Sequence, residues 1–208
     1  MRVFIIDNCE IFRKGLKVLL QENFPVEAFG EAHNFPVLLE GMNYEQWDII
    51  IMDIEFPDND GLEILKYING INSTLPILVL TYLHPEHYAI RAFKSGASGF
   101  LSKALSCNEI IDAVKVIYSG KKYINGYVED YFSKMISKNF AETVELLSNR
   151  EYHIFIRIAE GYTVSEIARE LSLSVKTISH YRKNILQKMN LKNNAGIMRY
   201  AFTNKFIK

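Results

Sequence analysis

The chain has little cysteine, with only Cys9 and Cys107 among its 208 residues. That excludes a disulfide framework and a paired-cysteine zinc site. A reducing cytoplasm is the expected location. Apolar runs of the about 18 residues that a membrane helix needs are missing, so no membrane partner is expected. The first run, Val3–Ile6, is too short for a signal peptide and meets Asp7 at once. Net charge is also missing, because 24 Lys and Arg stand against 24 Asp and Glu. Taken whole, that balance points to neither a nucleic acid nor a strongly acidic partner. Disorder is excluded by a content that is 49% hydrophobic and 12% aromatic.

The zero charge is a sum of unlike parts. Residues 1–120 carry 9 basic and 16 acidic residues, a balance of −7. Residues 121–147 carry 4 of each, and residues 148–208 carry 11 basic and 4 acidic, a balance of +7. Such a reversal suggests two domains with different partners. The division expected is a domain over 1–120, a linker over 121–147 and a second domain over 148–208. Tyr127 to Ile136 could form a helix within that linker.

In the first segment short apolar runs recur at Val3–Ile6, Val26–Phe29, Ile49–Met52, Ile77–Leu80 and Gly99–Leu101. They are too short for helices and do not alternate, which fits strands buried on both faces of a parallel sheet. Between them lie helically spaced sets such as Phe12/Leu16/Leu19/Leu20 and Ile110/Val114/Ile117. Five βα units follow, giving an α/β doubly wound, five-stranded parallel sheet. The functional edge of such a sheet lies at the carboxyl ends of its strands. Asp7-Asn8, Asp53, Thr81 and Ser102-Lys103 fall there. No glycine-rich phosphate loop follows the first strand, which argues against a dinucleotide or ATP site. One strand-end aspartate is usually a helix cap or turn residue. Two carboxylates, a hydroxyl and an ammonium on one edge suit phosphoryl transfer to a carboxylate, with hard oxygen ligands for Mg²⁺.

These residues resemble the receiver domain of two-component response regulators. The resemblance runs through Val3-Phe4-Ile5-Ile6-Asp7, Asp48-Ile49-Ile50-Ile51-Met52-Asp53 with Pro57 and Asp60-Gly61, Pro76–Thr81 and Gly96–Lys103. It implies a flavodoxin-like fold with Asp53 as phosphoacceptor. It also implies a Mg²⁺ site from Asp7, Asn8, Asp53 and the main-chain carbonyl of Glu55. Thr81 is then the switch hydroxyl, Lys103 the phosphate-pairing cation, and Phe100 the switch aromatic that turns inward on phosphorylation. The family usually has two adjacent acids where this chain has Asp7-Asn8, and one charge fewer should weaken metal binding.

Residues 148–208 read as a small all-α domain of four helices. Ser148–Glu151 and Thr163–Glu166 have the spacing of capping boxes, and Ser174 can cap a third helix from Val175 to about Met189. A fourth spans Asn194 to Phe202. Helix, short turn and basic helix make a helix-turn-helix pattern. The segment resembles the LuxR/NarL-type DNA-binding domain through Leu147–Glu151, Ala159-Glu160-Gly161, Glu166-Ile167-Ala168, Leu171, Ser174–Ile178 and Ile185–Met189. The resemblance implies base reading by Ser179, His180 and Lys183, and phosphate contacts from Lys176, Thr177, Arg182 and Lys188.

Together the halves resemble a NarL/FixJ-type response regulator. The function implied is a DNA-binding transcriptional regulator controlled by phosphorylation of Asp53, not an enzyme. Its implied partners are a histidine kinase, double-stranded promoter DNA and a second copy in a homodimer. The alternative is a degenerate, phosphorylation-independent DNA-binding regulator that uses the receiver for dimerisation. A phosphatase using Asp53 as transient nucleophile would need a substrate pocket and a general acid, for which Glu55 is the only candidate.

Overall fold

A computed structural model of the chain describes residues 1–44, 47–56, 60–124, 126, 129, 144 and 146–207. The chain divides into two compact units, residues 1–131 and 132–208. Pro57 and, apart from Glu129, the residues of the helix expected over 127–136 lie outside the described residues.

In the first unit the apolar runs become strands. These are β1 (Arg2–Ile6), β2 (Ala28–Ala32), β3 (Ile49–Met52), β4 (Ile77–Thr81) and β5 (Gly99–Ser102). Helices alternate with them: α1 (Glu10–Asn23), α2 (Phe35–Tyr44), α3 (Gly61–Ile71), α4 (Pro85–Lys94) and α5 (Cys107–Tyr118). All strand pairs are parallel, in the order β2-β1-β3-β4-β5. The three central strands are β1, β3 and β4. Every residue of β3 and β4 is buried, and all of β1 except Arg2, as continuous branched runs predict. One face of the sheet presents Val3, Ile5, Ile51, Leu78 and Leu80 to Leu16 and Leu20 of α1 and Ile110, Val114 and Ile117 of α5.

Strand β2 differs from its expectation. The apolar run Val26–Phe29 overlaps it at only two residues, and the strand continues through Gly30, Glu31 and Ala32. It is an edge strand and mostly half-buried. Burial on both faces was the signal used, and an edge strand does not supply it.

Register carries the fold to its site. Ile6 pairs with Met52, and Thr81 with Ser102. The next residues, Asp7, Asp53 and Lys103, therefore leave the sheet at one edge. The order reverses at β1, so this edge is the switch point where ligands of such sheets bind. After β3 the chain returns tightly: a Cβ on Gly61 would lie 2.3 to 2.5 Å from the backbone of Ile54. Asp60 then caps α3 by accepting from the N–H groups of Leu62 and Glu63.

The second unit has four described helices: α6 (Asn149–Ala159), α7 (Val164–Glu170), α8 (Val175–Lys188) and α9 (Asn194–Thr203). Both expected capping boxes form, Ser148 with Glu151 and Thr163 with Glu166. Ser174 caps α8 through the Thr177 N–H at 3.0 Å. Ile154, Phe155, Ile158, Ile167, Ile178, Ile185 and Ile197 form the buried interior. Gly161, at φ +95°, turns the chain between α6 and α7.

Candidate functional site

In the first unit the two strand-end acids share one cation. The Lys103 Nζ lies 2.6 Å from Asp7 Oδ2 and 2.6 Å from Asp53 Oδ2. All three side chains are no more than 4% exposed. The other carboxylate oxygens are fixed by the backbone. Asp7 Oδ1 accepts from the Cys9 N–H at 2.7 Å, and Asp53 Oδ1 from the Glu55 N–H at 2.9 Å. The rings of Phe12 and Tyr82 lie 4.4 and 5.4 Å from Lys103 Nζ, within cation–π range.

Burial pushes the Asp7 carboxyl above its ordinary value, with hydrogen bonds from Lys103 and the Cys9 N–H opposing it. Burial also works against the Lys103 ammonium, but the Asp53 and Asp7 carboxylates outweigh it and hold that ammonium above the usual lysine value. The two directions have different origins, burial for Asp7 and the paired carboxylates for Lys103, and two carboxylates facing one cation leave an excess negative charge.

That excess, with hard oxygens around it, fits a divalent cation. The donor set is two carboxylates, the Glu55 carbonyl and the Asn8 amide, whose Nδ2 lies 3.5 Å from Glu55 O. Among the described residues no third His, Cys, Asp or Glu completes a metal cluster. Mg²⁺ tolerates that shortage because it retains several waters.

The remaining expected residues lie on the neighbouring strands β4 and β5. Thr81, fully buried at the end of β4, accepts from the Leu83 N–H at 3.3 Å. Its carbonyl accepts from the Lys103 N–H at 2.9 Å, which joins Thr81 and Lys103 through the main chain at the ends of adjacent strands. Phe100 on β5 is 1% exposed. The inward turn expected of it therefore has no outward starting point here, because the side chain is already inside.

Sequence reading missed Arg13. Its guanidinium is buried on α1, donating from Nη1 to Asp7 O at 2.7 Å and from Nε to Glu31 Oε2 at 3.1 Å. A signal existed: Arg13 falls three and seven residues before Leu16 and Leu20, on the apolar face of its helix.

In the second unit, Lys176, Ser179, His180 and Lys183 are exposed on α8. Their i, i+3, i+4, i+7 spacing places them on one face, while Ile178 and Ile185 are buried. Three other expected DNA contacts have partners within the unit. The Thr177 hydroxyl meets Ser174 Oγ at 2.7 Å, and Arg182 Nε donates to Asn194 Oδ1 on α9. Lys188 Nζ donates to Glu151 Oε2 at 2.6 Å. Glu151, missed in the sequence beyond its capping role, is only 3% exposed.

Comparison with known proteins agrees with both halves. Residues 3–115 match the response regulator receiver domain, and residues 145–201 match the bacterial regulatory proteins of the luxR family. The Fimbriae Z protein of Escherichia coli (strain K12) is 35% identical over 199 residues, covering 96% of this chain and 95% of that protein. Response regulator UvrY of the same strain is 27% identical over 203 residues, covering 97% and 93%. Among solved structures, RcsB from Salmonella enterica serovar Typhimurium, bound to promoter P1flhDC in the presence of the phosphomimetic BeF3-, is 25% identical. It has a TM-score of 0.64, covering 96% of this chain and 97% of that one. The two-component response regulator RcsB–DNA complex is 25% identical with a TM-score of 0.61, covering 98% of each chain.

The chain belongs to the response regulators that join a receiver domain to a luxR-type helix-turn-helix domain. It is a two-component, DNA-binding transcriptional regulator. Among the described residues no helix is long and apolar enough to cross a membrane.

Proposed function

We propose that phosphorylation of Asp53 controls this regulator. The observation that carries the reading is the buried triad, in which Lys103 Nζ meets both Asp7 and Asp53 at 2.6 Å. A carboxylate oxygen of Asp53 attacks the phosphorus of a phosphohistidine or a small acyl phosphate. The P–N or P–O bond to the donor breaks, and an aspartyl phosphate forms. Asp7, Asp53 and the Glu55 carbonyl, with Asn8, would hold Mg²⁺, which would supply positive charge to offset that of the acids and the phosphoryl group.

Lys103 then follows the new negative charge from carboxylate to phosphoryl oxygen. The Thr81 hydroxyl gives up the Leu83 N–H and donates to the same group. Both residues are joined through main chain, so the two movements couple the ends of β4 and β5. Phe100 serves as a buried packing element of that change.

The functional division is 1–120 for phosphoacceptance, 121–147 as linker and 148–208 for DNA. Lys183, Ser179 and His180 face base edges, with Lys176 on phosphate. Thr177 and Arg182 approach phosphates while also bracing the domain, whereas Lys188, expected from the sequence as a further phosphate contact, is bonded to Glu151 and braces α8 against α6. The partners are a histidine kinase, promoter DNA and a second copy, in the cytoplasm. RcsB bound to promoter DNA with a phosphomimetic supports the DNA and phosphoryl parts of this reading.

Incubation with acetyl phosphate and Mg²⁺ tests it. Wild-type protein is expected to gain one acid-stable, base-labile phosphoryl group by intact mass, and Asp53→Ala none. Persistent labelling of Asp53→Ala would refute the assignment. The phosphorylation-independent alternative rests on the uncharged Asn8; it predicts no labelling of wild type and unchanged promoter binding with phosphodonor.

A further inference from the structure

The most deeply buried guanidinium of the first unit has no part in the chemistry above. Arg13 is 8% exposed, and its charge must be repaid by specific partners. One is Glu31 Oε2 at 3.1 Å, and the other is the main-chain oxygen of Asp7 at 2.7 Å. Glu31 is held from its other oxygen by Lys17 Nζ at 3.1 Å.

The partners of Asp7 give this contact its meaning. The Asp7 N–H donates to Ala32 O at 3.0 Å. Its carbonyl accepts from Arg13, its Oδ1 from the Cys9 N–H and its Oδ2 from Lys103. Every polar atom of the residue thus has a fixed direction. Two of the four constraints come from adjacent residues of β2: Ala32 directly, and Glu31 through Arg13. The peptide joining Asp7 to Asn8 is clamped to the edge strand.

We propose that Arg13 is a positioning residue for the Asp53 centre, fixing the Asp7–Asn8 peptide so that the Asp7 carboxylate meets the metal in one geometry. The inference rests on the metal-dependent phosphoacceptor reading above. Its weight is increased by Asn8. With one acid fewer, the metal depends more on the exact placement of Asp7. Guanidinium is suited to the task because its donors sit on separate nitrogens of a rigid plane, so that Nη1 reaches the carbonyl while Nε holds the carboxylate in a fixed direction.

The test measures Mn²⁺ binding to the full chain by electron paramagnetic resonance, with no phosphodonor, beside urea denaturation. Groups that orient metal ligands typically alter affinity about 10-fold or more when removed. Arg13→Ala is expected to weaken Mn²⁺ binding about 10-fold. Arg13→Lys should restore only part of that loss. Glu31→Gln, at a more exposed site, should weaken binding less while leaving the fold intact. Added ethylguanidinium should tighten Mn²⁺ binding to Arg13→Ala. A purely structural Arg13 would lower the urea midpoint and leave Mn²⁺ affinity of the folded protein unchanged; that result, in both Arg13→Lys and Glu31→Gln, overturns the inference alone. Wild-type protein that binds no Mn²⁺ overturns the phosphoacceptor reading and this inference with it.

Discussion

Lys103 holds together two carboxylates that would otherwise repel each other inside the protein. Removing one partner of a buried ionic group leaves uncompensated charge and costs about 3 to 5 kcal/mol. Lys103→Met should therefore lower stability by about 3 kcal/mol at pH 7, read by urea denaturation without metal. The two acids then face each other unscreened, so added Mg²⁺ should recover part of the loss. A loss that Mg²⁺ does not reduce would show that the acids do not present a cation site. The triad was legible because strand-end residues follow from parallel register. Arg13 was not, since helical spacing was used only to find apolar faces. A charge on such a face reads as noise until its partners, a carbonyl and Glu31, are seen to be brought there by the fold.

Elements were legible where one local device decides them. Buried runs placed β3 exactly at Ile49–Met52 but missed most of β2, whose edge position removes the pattern. Capping boxes placed the starts of α6 and α7 because a side chain and a backbone N–H three residues apart satisfy each other. The second function of Glu151 was hidden, because its link to Lys188 joins residues 37 apart. Burial works to raise the Glu151 carboxyl, but Lys188 and the Ser148 N–H outweigh it and hold the group below its ordinary 4.5. A carboxyl with a depressed folded value adds stability above its unfolded value. The contribution is therefore complete at neutral pH and disappears as pH falls from 4.5 through the lower folded value. Glu151→Gln should lower the urea midpoint of the second unit at pH 7 and narrow its difference from wild type near pH 3. An equal difference at both pH values would show that the ionised pair contributes nothing. A cap without the Lys188 pair can be weighed at α7, where Thr163→Ala should cost about 1 kcal/mol at pH 7.

At the scale of the molecule, zero net charge divides into an acidic unit built around two carboxylates and a basic unit with an outward helix face. Charge alone would treat every lysine of α8 as equal. The structure separates them: Lys176 and Lys183 are exposed on one outward face, while Lys188 is bonded to a buried carboxylate. DNA binding releases counterions in proportion to the phosphates neutralised, so the slope of log affinity against log salt counts free cations. Fluorescence anisotropy with non-specific duplex DNA measures that slope without an operator. Lys176→Ala should reduce its magnitude by about 1, the value for one lost phosphate contact. Lys188→Ala should leave the slope near wild type, because its charge is already matched by Glu151, and should lower the urea midpoint instead. The two variants remove the same formal charge from the same helix, so a common electrostatic field predicts equal slopes for both. Equal loss of slope would mean that Lys188 leaves Glu151 on DNA and that the ion pair is exchanged for a phosphate.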